Sequence, residues 1–368
     1  MTLRFKNGFE KSRGRPDLKE EYAMKSEILK LLKSTNEYIS GQELCERFGV
    51  SRTAIWKAID GLKKDGYEIE AVRNRGYKLS EGESDVFCQR ELTDRTADIS
   101  LIKEAIFFEE IGSTNTEAKR LAEEGADEGL LLVANRQTAG KGRRGRSWIS
   151  PAGKNAYYTL LLRPDISPEK APMLTLVMAL AVASALEDVY ESGVCEGLDG
   201  DKASGKSRDK SVKIKWPNDV LINGKKICGI LTEMSAENDY IQYVVIGVGL
   251  NIKPQKFDKE IADKATSIDA EWNITTVRCK LVADIMRYFE KYYKEFLKEE
   301  SLSGLKAEYE NLLVNKGRDV CVLDPKGEYT GKALGINDGG ELIVEKENGE
   351  RNAVYAGEVS VRGIYGYV

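Results

Sequence analysis

The chain of 368 residues contains no histidine. That absence removes the usual zinc sites and every nucleophile activated by a Ser-His or Cys-His pair. Its cysteines, Cys45, Cys88, Cys195, Cys228, Cys279 and Cys321, form no Cys-x-x-Cys pair, and no secretory pattern stands ahead of them. Such scatter implies reduced thiols that fill cores in a soluble, cytoplasmic protein, with neither a disulfide framework nor a protein-held metal. No continuous run approaches the roughly 18 apolar residues that a membrane span needs. Global attraction to nucleic acid is also excluded, because the formal net charge is −4 although 32% of residues are charged. Any DNA-binding face must therefore be a local patch. The length leaves room for two or three domains with real cores.

The most unusual stretch that is present runs over 137–148, with three glycines and four cationic side chains, and ends on the indole of Trp148. Gly140, Gly142 and Gly145 let the backbone come close to a ligand and expose N–H groups as an anion nest. Lys141, Arg143, Arg144 and Arg146 supply the charge that phosphate or carboxylate oxygens attract, and arginine grips them bidentately. Taken alone, the stretch reads equally as a solvated basic loop or a nucleic-acid patch.

Residues 1–23 are polar, with no apolar period, and read as a disordered arm or as sequence upstream of a start at Met24. From Lys25 the pattern sharpens. Ile28, Leu29, Leu31 and Leu32 make one helical face, Ser40 caps a short helix through Leu44 and Phe48, Gly49 turns, and Ser51 caps a third helix. That is helix-turn-helix grammar, and it exposes Ser51, Arg52, Thr53, Trp56 and Lys57 on the recognition helix. The alternation after Gly66 and the basic tip at Arg73 and Arg75 predict a two-stranded wing. Over 24–80, eleven Lys/Arg stand against eight Asp/Glu, a net of +3 on an otherwise acidic chain. A three-helix module for protein contacts is the competing reading; cap, turn glycine, basic face and basic wing in that order favour DNA.

Further on, Ile106, Phe107 and Phe108 form a short strand that leads to Ser113, Thr114 and Asn115 and then to a helix. Hydroxyl and amide groups at such a junction are first of all N-caps, and they are also placed to hydrogen-bond a polar ligand head. A strand is expected over 156–162, a buried helix over 173–189, and a flexible surface insertion over the Gly/Ser/Lys/Asp-rich 197–211. A strand then ends at the corner Trp216-Pro217, and Asn223-Gly224 closes a hairpin. Lys226, on the returning strand, is costly to bury unless it meets an anion, whereas Lys225 reads as a solvated turn residue. A strand over 243–249 carries Gly247 and Gly249, where a ligand or a second backbone approaches closely.

Five motifs in order then carry a family resemblance. They are Ser113-Thr114-Asn115, the loop from Gln137 to Arg146, Lys215-Trp216-Pro217-Asn218-Asp219, Lys226-x-x-Gly229-Ile230-Leu231, and Gly247-x-Gly249-x-Asn251. Together they resemble biotin protein ligase, and with the winged helix in front they resemble its bifunctional bacterial form, ligase and biotin operon repressor. The resemblance covers the chain from about Met24. Two features depart from it: Lys141 stands where the family's loop commonly has arginine, keeping charge but losing the fork, and the insertion at 197–211 is longer than usual.

The resemblance implies a multidomain α+β chain. It comprises a winged helix-turn-helix over 24–83, a mixed α/β catalytic domain over 84–315, and an SH3-like β-barrel over 316–368, where short strands alternate with Asn/Asp/Gly turns. It implies that biotin and MgATP give biotinyl-5′-AMP and that the biotinyl group passes to a lysine of a biotin carboxyl carrier protein. Arg143 and Lys226 would be the cations at the reacting junction. Ser113, Thr114, Asn115, Gln137, Gly142, Arg144 and Gly229 would define the biotin end. Gly140, Lys141, Arg146, Trp148, Asn218, Asp219, Asn251 and Arg362 would serve the adenylate. The loop is expected to lack order without ligand and, with 252–268, to favour a homodimer on two operator half-sites once the adenylate is bound. A lipoate-type ligase and a ligand-sensing repressor without catalysis are the competing functions.

Overall fold

The computed structural model describes residues 16–80, 85–195, 211–237, 239–324, 327–355 and 360–363. Residues 1–15 and most of the expected insertion, 196–210, lie outside them. The chain divides into two compact units, 1–90 and 91–368.

The first unit is built by local signals. Helix α1, Pro16–Lys33, starts eight residues ahead of Met24, so 16–23 are helical and not the irregular arm expected. Pro16 suits a first helical position, and the residues after it are good helix formers free of glycine. Ser40 accepts a hydrogen bond from the Glu43 N–H to open α2, Gly41–Phe48, and Gly49 closes it at φ 63°. Ser51 accepts from Ala54 N–H to open α3, Arg52–Lys64. Ile28, Leu32, Leu44, Ile55, Ile59 and Leu62 form the shared core. Strands β1, Ile69–Val72, and β2, Gly76–Leu79, pair antiparallel as the wing. Gly76, at φ 113°, is required there, since a Cβ would strike the Ile39 carbonyl that receives the Tyr77 N–H.

After helix α4, Gln89–Thr96, the second unit is organised on a seven-stranded mixed sheet in the order β3-β4-β5-β9-β8-β7-β6. Strand β3, Glu104–Phe108, is parallel to β4, Leu130–Ala134, through helix α5, Thr114–Glu123. All other neighbours are antiparallel: β5, Ala156–Leu162; β6, Val212–Lys215; β7, Asp219–Ile222; β8, Lys225–Glu237; and β9, Tyr240–Leu250. The Asn223-Gly224 turn has φ of 53° and 73°, as its hairpin requires. Helix α6, Met173–Cys195, packs on α8, Arg278–Glu299, and on the sheet. Its helical stretch is the one, among the described residues, long and apolar enough to cross a membrane, and it is mostly buried inside the protein. A short α7, Ile268–Trp272, precedes α8, and α9, Lys306–Leu312, leads to the C-terminal sheet.

That sheet has five antiparallel strands in the order β13-β12-β11-β10-β14. They are β10, Asp319–Leu323; β11, Tyr329–Ile336; β12, Leu342–Glu345; β13, Arg351–Val354; and β14, Ser360–Gly363. Trp216 joins the two sheets: its backbone N–H donates to Asn315 Oδ1 and its indole N–H to the Gly340 carbonyl, each at 2.9 Å. The indole of the Trp216-Pro217 corner, whose peptide is cis, thus serves the fold.

Candidate functional site

A small cavity opens on one face of the central sheet, with a volume of about 50 Å³. Ser113, Thr114, Asn115, Gln137, Lys141, Gly142, Arg143, Trp148, Asn218, Lys226 and Gly229 of the expected site residues line it, together with Ile230, Leu231, Gly247, Val248 and Gly249. All five sequence motifs therefore reach one place: 113–115 wholly, the loop through Gln137, Lys141, Gly142 and Arg143, the strand corner through Asn218, and the last two motifs through Lys226, Gly229, Ile230, Leu231, Gly247 and Gly249.

The floor is made of glycine. Gly229 and Gly249 are cross-strand partners, and Gly247 pairs with Thr159. A Cβ on Gly249 would stand 2.5 Å from Trp148 Nε1, and one on Gly229 would stand 2.9 Å from Trp148 Cζ3. The indole lies flat on the floor because no side chain holds it off. Its N–H is buried without a hydrogen-bond partner, an arrangement that a polar ligand atom would relieve.

One wall is neutral and polar. Ser113 caps α5 by accepting from the Thr116 N–H. Thr114 donates to Gln137 Oε1 from its backbone N–H at 2.9 Å and from its hydroxyl at 3.1 Å. Gln137 Nε2 in turn donates to Ser150 Oγ at 3.1 Å. Thr159 Oγ1, fully buried, lies 2.8 Å from Thr114 Oγ1 and 2.6 Å from Asn115 Oδ1. The N-cap reading and the ligand-head reading of 113–115 thus describe the same residues: Ser113 caps, and Thr114 and Asn115 face the cavity.

The other wall is cationic. Lys226 Nζ sits 2.5 Å from Asp219 Oδ1 and 5.1 Å from the Trp148 ring centroid. Arg143 Nη1 donates to Asn218 Oδ1 at 3.0 Å, and Asn218 is fixed to Ile230 through both its backbone carbonyl and its amide. Burial lowers the Arg143 pKa, with Asp219 opposing and Arg144 adding to the fall, yet a guanidinium stays charged throughout the accessible range.

The basic loop, expected to be loose, has its own ladder. Gln137 pairs with Ser150 and Lys141 with Ser147, the Trp148 N–H reaches the Gly140 carbonyl, and the Gly142 N–H reaches the Arg146 carbonyl. Arg144, at φ 58°, turns the tip. The glycines here permit the crossing of two backbones more than they loosen the chain: a Cβ on Gly140 would overlap the Trp148 carbonyl.

Some expected residues stand elsewhere. Arg144 lines a neighbouring cavity of about 240 Å³ that shares Arg143, Ile230 and Leu231 with the first. Asp219 acts on the cavity through Lys226. Gly140 and Arg146 belong to the loop ladder. Asn251 is buried outside the lining, where its backbone joins the Ile227 carbonyl and the Ile268 N–H. Arg362 lies on β14 opposite Cys321, its side chain outside the described residues. Thr159 was missed; the one threonine in the run 156–162 was its signal. Glu233, which accepts from Asn115 Nδ2 at 2.8 Å, had none.

In the first unit Ser51, Arg52, Thr53, Trp56 and Lys57 are all exposed, as are Arg73 and Arg75. A concavity between α3 and the wing is lined by Arg52, Arg73 and Arg75. The Arg75 guanidinium rests 4.3 Å from the ring centroid of Tyr38, whose hydroxyl donates to Glu70.

The sequence profile of the Biotin/lipoate A/B protein ligase family matches residues 107–251, that of an HTH domain matches 25–78, and that of the Biotin protein ligase C terminal domain matches 317–362. Over 335 residues the chain is 38% identical to the bifunctional ligase/repressor BirA of Bacillus subtilis, covering 89% of this chain and 94% of that one. Identity to the Escherichia coli protein of the same description is 29% over 332 residues, covering 90% and 95%. The structure of the Aquifex aeolicus biotin protein ligase in complex with biotin and ATP matches at a TM-score of 0.59 and 29% identity, over 71% of this chain and 100% of that one.

Proposed function

Because the chain belongs to the family of bifunctional biotin protein ligases and repressors, we propose how its own residues divide that work. It is a biotin protein ligase that uses ATP, with a DNA-binding domain that makes it a repressor. The observation that carries the assignment of roles is the cavity itself, where a hydroxyl-amide wall and a cationic wall face each other across one glycine floor.

Ser113, Thr114, Asn115 and Gln137 hold the neutral head of biotin, and its carboxylate points toward Arg143 and Lys226. A carboxylate oxygen attacks the α-phosphorus of ATP, a C–O–P linkage forms, the bond to the β-phosphate breaks, and pyrophosphate leaves. The amine of a carrier-protein lysine then attacks the acyl carbon, AMP leaves, and the amine loses a proton. Both steps gather negative charge at the same junction, so positioning and fixed cations suffice without histidine. Asn218 aims Arg143, and Asp219 holds Lys226 beside it. The loop over 137–148 covers the intermediate, with Trp148 lifting from the glycine floor to meet the adenylate.

Among the described residues no three metal-ligating side chains cluster, so the donor set does not fit a protein-held metal. Mg²⁺ is proposed to arrive on the phosphates of ATP, which need only one or two protein carboxylates, and no step is assigned to it. The further proposals are a biotin carboxyl carrier protein as acceptor, operator DNA as the partner of the first unit, and a homodimer favoured by the adenylate through 137–148 and 252–268. Sedimentation that is indifferent to biotin plus ATP would remove the last of these. The compartment proposed is the cytoplasm, in keeping with free thiols at Cys45, Cys228 and Cys321.

Mass spectrometry of the protein with biotin and MgATP, with and without a carrier domain, tests the assignment beside Lys226→Ala and Arg143→Gly. Bound biotinyl-AMP and a carrier mass gain that both variants lose are expected. Full activity in both variants would overturn the proposed roles.

A further inference from the structure

Asn115 is held more tightly than a ligand-facing amide needs for its own sake. Its Nδ2 donates to the Leu231 carbonyl at 3.2 Å and to Glu233 Oε2 at 2.8 Å. Its Oδ1 lies 2.6 Å from Thr159 Oγ1 and fills the space where any side chain at Gly247 would stand. The second oxygen of Glu233, Oε1, takes Lys119 Nζ at 2.7 Å. Lys119 comes one turn after Asn115 on α5, so helix and strand β8 are tied at the same carboxylate. Burial pushes the Glu233 pKa up, but the hydrogen bonds from Lys119 and Asn115 outweigh it, and the carboxyl ends more acidic than an ordinary glutamate.

This arrangement removes the ambiguity of an amide. Turned through 180°, Asn115 would set its oxygen against a carboxylate and a carbonyl, two acceptors with no proton between them. The oxygen therefore stays on the cavity side, where Thr114 and Gly247 also border the space. Neither Lys119 nor Glu233 borders that cavity; Glu233 lines the neighbouring one and touches a residue of the first through Asn115.

We infer that Glu233, paired with Lys119, is a positioning residue that fixes the Asn115 carbonyl oxygen toward the cavity and so makes this corner select acids whose head group carries N–H donors, as a cyclic urea does. The inference rests on the biotin-ligase reading of the cavity and deepens it. A dithiolane head, which has no N–H, would leave the oxygen with the Thr159 hydroxyl alone and its second lone pair unmatched. A site built to receive a hydrogen bond rejects the partner that lacks it more sharply than an apolar pocket rejects a change of size.

The test uses the full chain, with KM and kcat for biotin and ATP and the inhibition constant of biotin methylated on both ureido nitrogens. For Glu233→Leu the KM for biotin is expected to rise about tenfold, the effect of one mismatched hydrogen bond. Its kcat, its KM for ATP and the inhibition constant of the methylated acid stay at wild-type values. Glu233→Gln, which keeps an acceptor for Asn115 Nδ2, recovers most of the loss, and Lys119→Met falls between. The inference is overturned if Glu233→Leu leaves the KM for biotin unchanged, or weakens both acids alike with a fall in kcat, as a merely structural role would. A wild type that activates lipoate in place of biotin would sink the ligase reading as well, and that result is visible before any variant is compared.

Discussion

Lys226 Nζ lies 2.5 Å from Asp219 Oδ1, reaching diagonally between the neighbouring strands β8 and β7, where Lys226 is opposite Leu221 and Asp219 is opposite Gly229. Both side chains are mostly buried, at 22% and 14% exposure. A cation in such a place is stable because its carboxylate partner comes with it, and removing either partner leaves the other uncompensated. Asp219 also opposes the burial that depresses Arg143. One carboxylate therefore supports both cations proposed at the reacting junction.

Asp219→Asn should accordingly slow adenylate formation without abolishing it, by roughly ten- to a hundredfold, the size of a lost preorganised electrostatic contact. Single-turnover formation of biotinyl-AMP measures this directly. Lys226→Ala should cost more, and the double variant should cost less than the product of the two, because the residues share one interaction. Strictly multiplicative losses would mean that Asp219 does not work through Lys226.

Gly249→Ala tests the floor. The added Cβ meets Trp148 Nε1 at 2.5 Å, so the indole must rise, while the backbone of β9 tolerates alanine. The expected result is a KM for biotin raised about tenfold, from a bulge under the ligand worth on the order of 1–3 kcal/mol. The unfolding midpoint should change little, and a shift in tryptophan emission should vanish in a Trp148→Phe background. An unchanged KM would mean that the ligand does not rest on this glycine.

Much of this was legible in the sequence wherever chemistry is local. Ser40, Gly49 and Ser51 announce two helices of the first unit, and Asn223-Gly224 announces a hairpin, because a cap or a positive φ is decided within a few residues. The loop ladder between Gln137 and Ser150 was not legible: glycines suggest freedom, and only the partner strand shows that they allow close crossing. The helical start at Pro16 was hidden because polar residues show no apolar face. Thr159 and Glu233 were missed for a different reason. Each meets Asn115 from another strand, more than forty positions away in the chain, and no spacing rule reaches that far.

Thr159→Val should reveal how much of that polar wall is structural. The hydroxyl is fully buried and bridges Thr114 and Asn115. Its single proton serves one of those oxygens at a time, so its loss leaves one buried acceptor short of a partner while the side-chain volume is kept. A destabilisation of about 1–3 kcal/mol is expected, read from the midpoint of urea unfolding, together with weaker biotin binding. Wild-type stability would show that the network reorganises around the change.

The first unit makes a separable prediction, because its basic face belongs to a chain whose formal net charge is −4. Binding to duplex DNA is then expected to come from few contacts, and exposed Lys57 on α3 and Arg73 at the wing are proposed each to act on a phosphate. Fluorescence anisotropy on a duplex over a range of salt should give a linear log–log dependence, and Lys57→Ala should flatten its slope by about 1. Tyr38→Ala removes the ring under Arg75 and the hydroxyl that binds Glu70. The wing tip then loses its support, so affinity should fall with the slope retained, because the charge remains while its placement is lost. If Lys57→Ala leaves the slope untouched, α3 does not lie along the duplex, and the three-helix unit serves protein contacts instead.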